Sequence, residues 1–271
     1  MNKEKVSAAK KALFALDFKV NLKAFIIWAV VLSVFMVALI TVYPMMVEML
    51  SSLDPATSSW MDASALQFGD ILEYHYMVGT EIFGLGGAIF AAILALNLIG
   101  RDFKHGYYEN IYTNGLSRTN IVMTRYLQLF LQVFLLNLAC TLVMLITIPL
   151  CSDTAINFGS FFAFSGMLFV LHMMVATIVY GITIMIPRKI GLGICLGLPL
   201  ILYVINMLIH YVNIGSDSLG FLEFFTPFSL FTNGTGTNFF HDFSIPTLIV
   251  WLVVPISLML FGVWKNKKID F

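Results

Sequence analysis

Between two long apolar runs, the 271-residue chain places one polar segment that carries basic charge, GRDFKHGYYENIYTNGLSRTNIVMTRY, residues 100–126. Arg101, Asp102, Lys104, Glu109, Arg118 and Arg125 fall within it. Charges of both signs, closely set, form directional charge-assisted hydrogen bonds. That chemistry suits gripping a protein partner rather than breaking a bond. From Asp102 to Thr113 the composition is helical apart from Gly106, and Asn114-Gly115 then breaks it. Ser117 is placed to cap a new helix opening at Arg118. The pattern predicts a helix–turn–helix elbow, a coupling stretch over residues 101–125, able to carry a push from a soluble partner into the flanking helices.

The apolar runs themselves hold few polar groups. Asn137 and His172 lie near the middle of the third and fourth runs, and Asn206 lies in the fifth. Two readings stand for them: an interhelical hydrogen bond, worth about 0.6 kcal/mol and at most about 2, or the lining of a substrate path. Charged groups at mid-membrane mark ion-coupled carriers, and these runs hold essentially none. No HExxH, GxSxG or GxxxxGK[ST] occurs, nor a TVGYG filter. An intramembrane enzyme would need paired catalytic residues at one depth, and none is found. Asp70, Glu73 and His75 make an incomplete metal set, and the three cysteines form no CxxC pair. The chain is therefore read as neither an enzyme nor a metal or cofactor protein.

The elements that must position these residues are membrane spans. The chain is 59% hydrophobic and only 11% charged, with a mean hydropathy of +0.91, far from a soluble domain. Residues 1–23 hold six lysines. In that segment Val6, Ala9, Leu13, Leu16 and Val20 recur at helical spacing, while Lys5, Lys11, Asp17 and Asn21 fall largely elsewhere. This predicts an amphipathic helix at headgroup depth. Six spans follow within residues 24–271: Ala24–Tyr43, closed by Pro44; Gly79–Gly100; Tyr126–Leu150; Phe161–Ile186; Ile190–Val212; and Pro246–Trp264. Each approaches the roughly 20 residues that a helix needs to cross a bilayer. The connections at 44–78, 151–160 and 213–245 then share one side. All fifteen Lys and Arg lie on the other side, while those three loops carry only acids. By the positive-inside rule both termini are cytoplasmic. The fold class is an all-α, six-span protein of the cell membrane, with an interfacial helix and a cytoplasmic elbow.

At the elbow the chain resembles the permease subunits of ABC-2 type exporters. That family tends to show an acidic residue, a glycine and a Pro-x-Ser-Arg-like turn leading to a basic residue. Asp102, Gly106, Leu116-Ser117-Arg118 and Arg125 follow that order, with Glu109 inside the stretch and Gly115 where the family often has proline. Thr226-Pro227-Phe228 is similar to the family's Ser/Thr-Pro-Phe segment before the last span. The resemblance implies a dimer of permeases, identical or sister, standing on two separate ABC ATPase subunits that bind ATP and Mg. It implies that Arg101, Asp102, Gly106, Glu109, Ser117, Arg118 and Arg125 couple to the ATPase. Size and loop length look most like bacterial peptide exporters or self-immunity permeases, such as the phenol-soluble modulin exporters. The implied cargo is an amphipathic or hydrophobic peptide, with a lipid or lipid-linked glycan as alternative and a passive channel as the competing class. Nucleic acid is not an implied partner.

Overall fold

A computed structural model describes residues 3–51, 70–106, 111, 116–187, 191–213, 221, 224–231 and 245–266. Among these residues every regular element is helical, and six helices are long and apolar enough to cross a membrane. The first, α1 (Lys3–Ser51), runs unbroken through Lys23–Ala24, so the lysine-rich segment and the first span form one helix rather than two. Nothing in the local sequence VNLKAFII offers a turn, and the helix simply continues. Pro44 does not close it either. Proline removes one backbone donor, a loss that flanking helix formers such as Met45, Met46 and Met49 absorb so close to the end.

The second span begins earlier than its apolar run. Asp70 caps α2 (Ile71–Val78), its Oδ1 accepting from the backbone N–H groups of Leu72 and Glu73 at 2.8 and 2.9 Å. A π-helical turn, Gly79–Gly84, follows directly, and α3 (Leu85–His105) completes the span. Gly106, with φ 73°, ends α3 in the left-handed region that glycine adopts without strain. The remaining spans are α4 (Arg118–Cys151), α5 (Phe158–Met185), α6 (Leu192–Asn213) and α7 (Ile245–Asn266). The segments read as loops at 44–78 and 151–160 therefore contribute helix at both edges.

The span Ile71–His105 and α5 form the centre, with 67% and 72% of their most apolar windows buried, whereas the corresponding window of α1 is only 17% buried. Small residues make this possible: Ala88, Ala91, Ala92 and Ala95 of α3 are fully enclosed, and short side chains let helix axes approach. α5 crosses α7 at Gly181 and Gly262, so closely that a Cβ on Gly262 would stand 2.8 Å from the Gly181 carbonyl oxygen. α1 packs mainly along α4. Between α6 and α7 a short 3-10 turn, Pro227–Phe231, is buried in the bundle. Thr226 fixes it: its Oγ1 donates to the Leu202 carbonyl at 2.7 Å and accepts from the Phe228 N–H at 3.2 Å.

Candidate functional site

Where α1, α3 and α4 meet, at the end of the bundle that holds the basic residues, four charged side chains are drawn together. Asp17 of α1 accepts from Arg101 Nη2 at 2.9 Å and from Arg125 Nε at 3.0 Å. Arg125 Nη1 also pairs with Asp102 Oδ2, and Arg101 Nε stands 3.9 Å from Asp102 Oδ1. The Asp17, Asp102 and Arg125 side chains are at most 1% exposed, and Arg101 is 20% exposed. Two carboxylates face two guanidiniums, so the cluster is neutral as a whole. Ions so enclosed are tolerated only when paired and hydrogen-bonded. Asn21, one turn beyond Asp17, is buried as well and donates to the Asp17 carbonyl at 2.8 Å.

This geometry revises the face assigned to the N-terminal segment. Val6, Ala9 and Leu13 do pack inward, against Ile111, Leu116 and Ile121. Leu16 and Val20 are exposed, however, and Asp17 and Asn21 point inward in their place. The ion pairs decide it, because they bring Asp17 into the bundle. Asp17 and Leu13 are four residues apart, hence on one helical face, and that spacing was the available signal.

The residues singled out for coupling divide into two sets. Asp102 and Arg125 are enclosed, and Arg101 turns to Asp17, so these three bind one another's helices. Ser117 caps α4, its Oγ accepting from the Asn120 N–H at 3.2 Å, and Gly106 caps α3; both are exposed. Arg118 is half-buried and donates to the Asn266 carbonyl at 3.0 Å, tying the start of α4 to the end of α7. Glu109 and most of the turn between Gly106 and Leu116 lie outside the described residues.

Midway along the bundle, His172 of α5 bridges three helices. Its Nε2 donates to the carbonyls of Phe83 and Gly84 at 3.1 and 3.2 Å. Carbonyl oxygens only accept, so Nε2 carries a proton. Nδ1 lies 3.1 Å from Asn137 Oδ1, whose amide nitrogen donates to the Val133 carbonyl at 2.8 Å. Phe83 and Gly84 close the π-helical turn, the kind of irregularity that leaves carbonyls open to side chains. Gly87 gives the ring its space, since a Cβ there would overlap the imidazole. Asn137 and His172 thus join helices to one another in a fully packed setting. Asn206, buried on α6, is outside this network, and its Oδ1 has no hydrogen-bond partner.

Towards the other end, His75 is buried against Phe161, stacked at 5.5 Å, and against the edge of Phe164. It borders a cavity of about 10 Å³ between Met36, Cys140 and Met144, roughly the room one water needs. Among the described residues no group of three or more His, Cys, Asp or Glu side chains is arranged to hold a metal ion.

Two side chains went unnoticed in the sequence. Gln128 and Gln132 are fully buried on α4, and neither amide has a hydrogen-bond partner. They follow Arg125 at three and seven residues, a helical spacing that marks one face. No protein-family model matches the chain, and no curated protein matches it either.

Proposed function

We propose that the chain is the permease subunit of an ATP-driven exporter of the ABC-2 type, working as a dimer on two soluble ATPase subunits. The observation that carries this reading is the ion network at the basic end. A permease without an ATPase must receive force at its cytoplasmic face and pass it to several helices together. Asp17, Arg101, Asp102 and Arg125 join α1, α3 and α4 at that point, and Arg118 adds α7. Leu13 seats α1 on Leu116 and Ile111, next to the elbow. The basic end faces the cytoplasm in this reading, in line with the positive-inside rule.

Ser117, exposed at the start of α4, and its neighbour Arg118 meet the ATPase, while Arg101, Asp102 and Arg125, paired within the bundle, transmit its movement. Glu109 joins the ATPase contact by its place in the coupling stretch alone. The cargo is an amphipathic or apolar peptide taken from the cytoplasm or inner leaflet. The long apolar faces and the absence of unmatched charge at the network suit such a molecule better than a hydrated ion.

Co-expression with a soluble protein bearing GxxxxGK[ST], followed by affinity purification from detergent, tests this. A stoichiometric complex should form, and its ATP hydrolysis should rise with an amphipathic peptide. Arg118→Ala should weaken assembly or uncouple hydrolysis while the permease remains inserted. A permease that purifies alone beside every such ATPase of its own cell, and moves solute regardless, would be a passive channel.

A further inference from the structure

The seam between α1 and α4 has closed contacts at two levels. Near one end Arg125 pairs with Asp17, and further along Cys140 Sγ lies 3.8 Å from Ser33 Oγ. Gln128 and Gln132 sit between those levels on the same face of α4, since 125, 128, 132 and 140 follow one another by helical steps. All four of their amide atoms are enclosed without a hydrogen bond. Burying an amide in that way is unfavourable unless a partner arrives. The helix opposite is the least enclosed span of the bundle.

Resting on the export-permease reading, we propose that α1 and α4 part along this seam during transport, and that Gln128 and Gln132 then hydrogen-bond the backbone of the peptide cargo. Each glutamine offers one acceptor and a donor group, matching the C=O and N–H of a peptide unit. Their four-residue separation rises about 6 Å along the helix. That is close to the roughly 6.8 Å between peptide groups on one edge of an extended chain. The arginines below are matched by aspartates, so the seam favours a neutral amide chain over a phosphate-bearing lipid. Opening the seam to an occupant gives these four amide atoms the partners they lack when it is closed.

The test uses the full chain in lipid nanodiscs, with Cys151→Ser and Cys195→Ala, and a fluorescein-labelled amphipathic Leu/Lys peptide as probe. Gln128→Leu with Gln132→Leu should raise the thermal midpoint, because the closed seam loses its unmet amides. The same variant should bind the peptide about tenfold more weakly. Ser33→Cys, oxidised onto Cys140, should abolish binding, and reductant should restore it. A leucine variant less stable than its parent, or unchanged peptide affinity in either form, overturns the proposal. These readouts need no ATPase, so they can fail while ATP-driven export stands. A parent chain that binds a phosphate-headed lipid probe but no peptide overturns the peptide assignment along with the seam.

Discussion

Removal of the Asp17 carboxylate should be the most damaging single change at the basic end. Asp17 is shared by two guanidiniums, at 2.9 and 3.0 Å, and its loss leaves Arg101 and Arg125 facing Asp102 alone. Arg125 is fully buried and keeps only Asp102, so losing one of its two carboxylate partners costs toward the lower end of the roughly 3–5 kcal/mol of a broken buried pair. Arg101 is one-fifth exposed and can turn outward, so its half adds little. Asp17→Ala should therefore cost about 3–4 kcal/mol, a fall of roughly 6–16 °C in thermal midpoint. Thermal unfolding of the detergent-solubilised protein reads the shift. Trypsin should also cut the lysine-rich segment sooner, because Asp17 fastens that part of α1. The pair Asp17→Leu with Arg125→Met removes one charge of each sign and should recover most of the loss, since packed apolar groups replace buried pairs at little cost. A fall below about 1 kcal/mol for Asp17→Ala would refute the argument. A double variant no more stable than Asp17→Leu alone would do the same.

Gly87→Ala should displace the His172 ring from the Phe83 and Gly84 carbonyls and destabilise by about 1–3 kcal/mol through overpacking; adding His172→Ala should relieve much of that loss. Gly262→Ala meets backbone rather than a movable side chain, so it should cost a similar amount with no single partner substitution to rescue it. In a cysteine-free background, single cysteines at Ser59, Thr154 and Ser216 should react with impermeant maleimide from outside intact cells, whereas cysteines at Ser117 and Asn266 should not. External labelling at Ser117 would reverse the assigned orientation.

Six apolar helices were legible because span length is written in continuous runs, and the Ser117 cap was legible because its signal is local. The edges of the second span were less so: Asp70-Ile-Leu-Glu73 is a capping signature set in polar surroundings, and an apolar run alone starts the span at Gly79. Pro44 misled for the opposite reason, as a strong local breaker overruled by the helix formers around it. Asp17 could not be paired from sequence, because its partners lie 84 and 108 residues away. Gln128 and Gln132 look like ordinary polar residues near a span end until burial and missing partners are known. The Asn137–His172 contact is the middle case. Both residues stood out, but only the fold turns them toward each other and toward the π-helical carbonyls.

The most direct measurement is peptide movement in proteoliposomes that contain this chain, the proposed ATPase subunit and a labelled amphipathic peptide outside the vesicle. In molecules whose basic end faces outward, ATP and Mg added outside should drive the peptide into the lumen. Vanadate, or omission of the ATPase subunit, should stop it. Peptide entry at the same rate without ATP or without the ATPase, or no entry while a lipid precursor moves in an ATP-dependent manner, would contradict an ATP-driven peptide exporter.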